Sequence, residues 1–290
     1  GFRLIRVQFY AILNRNPFAN MAYNRRFFLK TAGSVAAAGL LLPTLSCSSS
    51  EQSSDVSDEP TLLPLPDFGI QLYSVRDIIE ADPKGVMSQL AELGFSKFES
   101  YGGSKGFLWG MTPTEYKTFM SSLGVTTVST HCDTTKDLQK SIDEAAEAGL
   151  SYILQPWIGP QASLDEWKRR AEEFNERGEL CAKAGLKFGY HNHDYSFKSQ
   201  EGQIPQEVLL QNTDPDKVVF ELDLCWIEAA NMDTVAHLAN YAGRYHLVHV
   251  KDLVREPEPT STDLGKGEID FTKILAAASA SGVMQFIFEQ

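Results

Sequence analysis

Cysteine is scarce in this sequence, which contains four cysteines in 290 residues. Cys47 lies in an apolar N-terminal segment. The other three, Cys132, Cys181 and Cys225, are an odd number and lack the CxxC spacing of a thiolate metal site. The sequence therefore predicts no disulfide framework, and it argues against a metal site made of paired cysteines.

Positive charge is also scarce over most of the chain. The sequence has 26 basic and 38 acidic side chains, and residues 1–50 contain six of the basic ones and none of the acidic ones. The rest of the chain therefore carries a formal charge of −18. Because the affinity of proteins for nucleic acids comes mostly from neutralising phosphates, so acidic a chain predicts no nucleic-acid partner.

No apolar run is long enough to span a bilayer comfortably. The best candidate, in "MAYNRRFFLKTAGSVAAAGLLLPTLSC" at residues 21–47, has about 15 apolar residues behind a twin arginine, which is typical of an export signal. A buried amphipathic helix is the alternative. We expect an exported protein, in the periplasm or anchored to a membrane. Cys47 resembles a lipoprotein attachment site, but Thr44 stands where such sites usually carry an aliphatic residue, so lipidation stays open.

Composition also predicts the limits of the folded part. Residues 1–20 precede Met21 and are interpreted as an upstream extension. Residues 48–66 are rich in serine, acidic residues and proline, which is typical of a flexible linker. The folded domain is therefore expected at residues 67–290.

Short apolar runs alternate with helical patterns from residue 68 onward. Eight strands are predicted, at residues 68–74, 95–100, 125–131, 151–157, 186–192, 217–223, 245–252 and 285–290. Eight such repeats favour a closed (β/α)8 TIM barrel, an α/β fold, which here is truncated after the eighth strand and lacks its last helix. A doubly wound open sheet is the alternative, but the first strand is not followed by the glycine-rich phosphate turn usual in that fold.

Polar side chains are concentrated where the predicted strands end, and the catalytic residues of a TIM barrel lie at those ends. Four of the six histidines of the chain are among them. The residues at the strand ends are Gln71, Tyr73, Glu99, His131, Gln155, Trp157, His191, His193, Asp223, His249, Lys251 and Glu289.

The last four strands carry residues that suit a metal ion. His191 and His193 are two apart, so both are predicted on one side of the strand. Asp223 and Glu289 end apolar strands, where an isolated carboxylate would cost several kcal/mol. With His249 they form a nitrogen and oxygen set that favours one divalent ion, Mn²⁺, Zn²⁺, Co²⁺ or Fe²⁺ rather than Mg²⁺. Each residue also has a simpler interpretation. The histidines could be hydrogen-bonded core residues, Asp223 could cap a helix or pair with Lys251, and Glu289 could pair with a nearby base.

Five short motifs, in this order and spacing, give the chain a resemblance to a known family. They are "YHNHDYSF", "FELDLCW", "HVKDL", "GKGEIDF" and "FIFEQ". The chain resembles the sugar phosphate isomerase/epimerase proteins of the xylose isomerase-like TIM-barrel superfamily over residues 67–290. The resemblance implies one divalent metal held by residues that end strands five to eight, of which Asp223, His249 and Glu289 match directly.

The fifth strand departs from the family pattern, because His191 stands where relatives such as the ketose 3-epimerases carry glutamate. We favour His191 as the ligand and His193 as the residue that faces the substrate, but the reverse stays open. The resemblance implies proton transfer by two opposed groups, here Glu289 and either His193 or Glu99. Lys251 is then placed to bind a substrate oxygen or stabilise an enolate.

These features predict a metal-dependent isomerase or epimerase of a non-phosphorylated sugar or keto-sugar. A metal-dependent lyase or dehydratase of a keto-glycoside or inosose is the first alternative, and a non-catalytic exported sugar-binding protein is the second. The expected partner is thus a small sugar, and the oligomeric state is left open. Side chains predicted to contact it are Tyr73, His131, Gln155, Trp157 and Trp226. The glycines around Lys266 form a weak candidate phosphate turn.

Overall fold

A computed structural model describes residues 67–290 as a closed barrel of eight parallel strands. The strands are β1 Phe68–Gln71, β2 Lys97–Tyr101, β3 Thr126–His131, β4 Tyr152–Gln155, β5 Lys187–His191, β6 Val218–Asp223, β7 Tyr245–Val250 and β8 Gln285–Phe288. They follow chain order around the barrel, and β1 pairs with both β2 and β8. The predicted TIM barrel is confirmed, and the open-sheet alternative is wrong.

The predictions for residues 1–66 lie outside the described residues. They comprise the upstream extension, the export signal with Cys47 and the linker, so export and lipidation stay predictions. Between residues 67 and 290, no helix has the length and apolar character needed to cross a membrane. In the same part of the chain Cys132, Cys181 and Cys225 are buried and unpaired.

Helices connect the strands and cover the outside of the barrel. They span Arg76–Ile79, Pro83–Glu92, Pro113–Ser122, Leu138–Ala148, Leu164–Lys183, Pro205–Asn212, Leu224–Ala229, Thr234–Asn240 and Phe271–Ala280. Two short 3-10 helices, Leu72–Val75 and Asp194–Phe197, follow β1 and β5, and a hairpin of Asp252–Val254 with Thr260–Thr262 follows β7. Because helices lie outside and side chains fill the inside, the strands are buried on both faces and read as apolar runs.

The longest helix, Leu164–Lys183, comes very close to the chain before β6 at Gly178. A Cβ atom there would lie 2.8 Å from the carbonyl oxygen of Lys217. Gly178→Ala should therefore lower the free energy of unfolding by about 1–3 kcal/mol, because the helix must move outward. Urea unfolding measures this. Glu172→Ala, at an exposed position of the same helix, is the control and should change stability by less than about 0.5 kcal/mol. Equal stability of the two variants would contradict the close approach.

His237 gives the fold a sensitivity to acid. The residue is 3% exposed, and Nε2 of its ring lies 2.8 Å from the hydroxyl of Tyr245. Burial lowers the pKa of His237 to about 4 from 6.5. Between pH 6.5 and about 4, His237 binds a proton in the unfolded chain but stays neutral in the folded protein. The free energy of unfolding therefore falls as the pH falls through this range, by roughly 3 kcal/mol in total. His237→Gln should flatten that part of the pH dependence in urea unfolding between pH 7 and 4.5. An unchanged pH slope would contradict the assignment.

Candidate active site

Four buried side chains meet at the C-terminal mouth of the barrel, His191, Asp223, His249 and Glu289. One ligand-type atom of each lies within 4.8 Å of those of the other three. Oδ2 of Asp223 is 3.4 Å from Nε2 of His191 and 3.9 Å from Nδ1 of His249. The other near neighbour of that Nδ1 is Oε2 of Glu289, at 2.6 Å.

Most of these facing atoms lack a hydrogen-bond partner. Both ring nitrogens of His191, Oδ2 of Asp223 and Nδ1 of His249 are buried and unsatisfied. Although Nδ1 of His249 is close to Glu289, the two groups are not aligned as a hydrogen bond. Buried polar atoms without partners are costly, and they often mark a place for an ion. Two imidazoles and two carboxylates with free lone pairs fit a divalent cation.

Asp223 is a helix cap and lies near Lys251, as its simpler interpretations predict, and it also belongs to the cluster of ligand-type atoms. It begins helix Leu224–Ala229, and its Oδ1 accepts a hydrogen bond from the amide of Trp226 at 3.1 Å. Its own amide donates to Oδ1 of Asn192 at 3.0 Å. Lys251 Nζ is 3.5 Å from Oδ2. The cap fixes one oxygen of the carboxylate and leaves the other directed at the cluster.

Lys251 neutralises part of the negative charge at the mouth. Its Nζ donates to Oε1 of Glu289 at 2.7 Å, and it lies 5.6 Å from the ring centre of Trp226. Burial alone would lower the pKa of Lys251, but the carboxylates of Asp223 and Glu289 outweigh it and raise that pKa. The lysine and the histidines in turn hold the pKa of both carboxyls below the usual range, against the effect of burial. The mouth therefore contains ionised carboxylates beside a charged ammonium group.

His193 lies beside this cluster and is not part of it. It follows β5 and begins the 3-10 helix Asp194–Phe197, with its ring centre 4.9 Å from that of His191. Trp157 packs edge-on against it at 4.6 Å, and Trp226 stacks on it at 6.0 Å. Burial, together with the neighbouring His191, lowers the pKa of His193 to about 3, and Nδ1 has no partner. A neutral imidazole with a free nitrogen thus lies among aromatic rings.

The residues predicted to contact substrate differ in their exposure to solvent and in whether their polar atoms are already hydrogen-bonded. Trp157 is 54% exposed, and Tyr73 is 46% exposed and packs edge-on against Tyr101. Gln155 is buried and already bonded: its Oε1 accepts from the amide and hydroxyl of Thr134, and its Nε2 donates to the carbonyl of Trp157. Gln155 therefore fixes the loop that carries Trp157, since both polar atoms of its amide are bonded to the chain.

A second polar layer lies below the mouth and contains Glu99, His131, Glu221 and His249. Glu99 and Glu221 are both 0% exposed and His131 is 8% exposed. From the sequence, Glu99 is expected at the mouth as an acid or base, and His131 is expected there as a substrate contact. The structure instead places both in this inner layer, in contact with His249 and Glu221. Burial opposes charge here, but the two carboxylates outweigh it and raise the pKa of His131.

Glu221 was missed in the sequence. It lies inside the apolar run "VVFELD", two residues before Asp223 and therefore on the same face of β6. That spacing was the available indication. Its partner His131 is 90 residues away in the chain, with Nε2 2.7 Å from Oε2 of Glu221.

The turn around Lys266 is organised by a carboxylate of the chain itself. Oδ2 of Asp252 accepts hydrogen bonds from the amides of Gly265 and Gly267 at 2.8 and 2.9 Å. Oδ1 of the same residue accepts from the amide of Ile269. Asp252 is 1% exposed, so a buried anion already uses the amides that a phosphate would need.

Comparison with known proteins assigns the family. The model of the xylose isomerase-like TIM barrel matches residues 87–289. The chain belongs to this family. The resemblance inferred from the five motifs is thereby confirmed.

Relatives within and around this family have several activities. An inosose dehydratase of Lactiplantibacillus plantarum is 34% identical over 99 residues, which are 34% of this chain and 32% of that protein. The chain thus matches about a third of this curated relative's length. A sugar phosphate isomerase/epimerase from Parabacteroides distasonis has a TM-score of 0.65 and 28% identity, covering 79% of this chain and 87% of its own. The IolI protein with a zinc atom shares the fold at 12% identity and a TM-score of 0.63, covering 77% of this chain and 88% of its own.

Proposed function

We propose that this protein is a divalent-metal-dependent isomerase or epimerase that transfers a proton next to the carbonyl of a non-phosphorylated sugar or keto-sugar. The observation that carries the proposal is the set of unpaired buried atoms on His191, Asp223 and His249, which face one another beside Glu289. His191, Asp223, His249 and Glu289 are the proposed metal ligands. Their two imidazoles favour Mn²⁺, Zn²⁺, Co²⁺ or Fe²⁺ over Mg²⁺.

The residues around the cluster supply the groups that proton transfer requires. When bound, a divalent ion supplies Lewis acidity to a substrate carbonyl. His193 and Glu289 follow β5 and β8, which are separated by β6 and β7, so they approach a bound sugar from different sides of the mouth. One removes the proton beside the carbonyl and the other returns it. The ammonium group of Lys251 stabilises the negative charge that develops on the substrate oxygen.

Three aromatic side chains support a sugar as the substrate. Trp157, Trp226 and Tyr195 surround His193, and Trp157 exposes a large part of its ring at the mouth. Flat apolar rings next to charged and polar groups suit the mixed surface of a sugar. The pairing of Asp252 with the turn amides supports a substrate without phosphate, because a phosphate at that turn would meet a buried carboxylate.

A lyase or dehydratase reaction on an inosose or keto-glycoside is the second candidate. The identity with an inosose dehydratase favours it, and proton removal beside a ketone is the first step of that reaction too. A group then leaves from the neighbouring carbon, and the ammonium group of Lys251 is close enough to the cluster to protonate it. The two candidates share the first proton transfer and differ only in the second step.

Incubation in D₂O with free ketoses, 3-keto-glucosides and inososes, followed by NMR, tests the proposal. We expect deuterium at the carbon beside the ketone, an intact carbon skeleton and no reaction after chelation of the metal. Ketose phosphates should not exchange. Loss of a leaving group would favour the lyase. No exchange with any of these compounds, in protein that holds its metal, would contradict both enzymatic candidates and favour a sugar-binding protein.

A further inference from the structure

The inner layer differs from the mouth in one respect that decides its role. At the mouth the facing atoms of His191, Asp223 and His249 have no hydrogen-bond partners. In the inner layer the four atoms that face the centre form two short hydrogen bonds with one another. These four facing atoms are therefore already paired without an ion, although the four side chains have the composition of a metal site and Oε1 of Glu221 has no hydrogen-bond partner.

The inner layer is a ring in which nitrogen and oxygen atoms alternate. Nε2 of His249 lies 2.6 Å from Oε1 of Glu99 and 3.3 Å from Oε2 of Glu221. Nε2 of His131 lies 2.7 Å from that same Glu221 oxygen and 3.2 Å from the Glu99 oxygen. Each imidazole thus has one carboxylate at hydrogen-bond distance and the other slightly farther away.

Other side chains fix Glu99 in this ring. Gln71 Nε2 donates to Oε1 at 2.8 Å, and the hydroxyl of Ser129 donates to Oε2 at 2.5 Å. Gln71, Glu99 and Ser129 are all 0% exposed. The carboxylate of Glu99 is therefore oriented before any ligand arrives at the mouth.

The contact with Glu99 determines which nitrogen of His249 faces the mouth. Both oxygens of Glu99 accept hydrogen bonds, from Gln71 and Ser129, so Glu99 is also the acceptor in the 2.6 Å contact and Nε2 of His249 carries the hydrogen. Nδ1 then presents its lone pair to Asp223 and Glu289, as a metal ligand must. A hydrogen on Nδ1 instead would occupy the position of the ion.

We propose that Glu99 is a positioning residue that holds His249 in the tautomer and orientation required for metal binding, and that Glu221 with His131 completes the ring that supports it. This inference rests on the proposed function, because it assumes that His249 binds the metal. It assigns to Glu99 a role through His249 in place of the direct acid/base role expected from the sequence.

Cobalt titration of the metal-free full chain tests this role without a substrate. The visible absorption of Co²⁺ reports its ligand geometry, and competition with a chelator gives the dissociation constant. Glu99→Gln keeps a neutral acceptor and should weaken binding by roughly 10-fold, whereas Glu99→Leu removes the acceptor and should weaken it by roughly 100-fold. Glu221→Gln is the matched variant in the same layer and should have a smaller effect, because Glu221 is farther from His249. Thermal unfolding shows which variants fold.

The possible results separate this inference from the proposed function. Wild-type cobalt affinity and spectrum in Glu99→Gln and in folded Glu99→Leu would overturn the positioning role and leave the metal site intact. Two cobalt ions per chain, one of them lost in Glu221→Gln, would also overturn it, because the ring would then be a second metal site. A wild-type chain that binds no cobalt would overturn the proposed function itself.

Discussion

Asp223→Ala should reduce bound metal from one ion per chain to nearly none, and turnover should fall by about 10³-fold or more. The reason is that Oδ2 of Asp223 faces His191, His249 and Lys251 at the centre of the cluster and has no hydrogen-bond partner. Metal ions contribute several kcal/mol to charge stabilisation, and each 1.36 kcal/mol is a factor of ten in rate. Elemental analysis of the purified variant and the D₂O exchange rate measure the two effects.

A matched control separates the loss of metal from the loss of a helix cap. Asp233 also begins a helix, Thr234–Asn240, and its Oδ1 accepts from the amide of Ala236 at 2.9 Å. Asp233→Ala should cost about 1 kcal/mol of stability, like the loss of the cap in Asp223→Ala, and should leave metal content unchanged. Stoichiometric metal in Asp223→Ala would show that the ion is held elsewhere.

His193→Ala should retain the metal and lose turnover by about 10²–10⁴-fold, the usual contribution of a general acid or base. His193 lies against Trp157 and Trp226 and outside the group of ligand-type atoms at the mouth. His246→Ala is the control, since His246 lies near the opposite end of the barrel, at the start of β7. It should affect neither quantity.

Two results would change the assignment of His193. Loss of metal in His193→Ala, with metal retained in His191→Ala, would exchange the proposed roles of the two histidines. Full turnover in His193→Ala would exclude it as acid or base and leave Glu289 without an opposed group on the β5 side. Metal content and exchange rate therefore have to be measured on the same preparations.

The barrel and three of the side chains that meet at its mouth could be predicted because both depend on local patterns. Alternating strands and helices predict the closed sheet, and the end of each apolar strand marks the mouth. Asp223, His249 and Glu289 were found in this way, since each is at or near the end of a strand. The prediction needed no knowledge of which residues touch.

The inner layer could not be predicted because it depends on depth and on contacts across the barrel. Glu99 and His131 end their strands in the pattern, but neighbouring strands are staggered, so the same position in the pattern lies at different depths. Their partner Glu221 lies within an apolar strand, where its only indication is the spacing of two residues from Asp223. The 2.6 Å contact between Glu99 and His249 joins residues 150 positions apart.

The pair of His191 and His193 shows that the two-residue spacing rule applies only within a strand. Alternation places residues two apart on the same face only while the chain remains a strand. β5 ends at His191, and His193 already begins the 3-10 helix Asp194–Phe197. The pair is therefore adjacent at the mouth while only His191 belongs to the cluster.

Anomalous X-ray diffraction from crystals loaded with Zn²⁺ or Mn²⁺ tests the central claim most directly. The account predicts one strong peak per chain, within bonding distance of Nδ1 of His249, Oδ2 of Asp223, Glu289 and a ring nitrogen of His191. A peak within the ring of Glu99, His131 and Glu221, or one bound by His193 in place of His191, would contradict it.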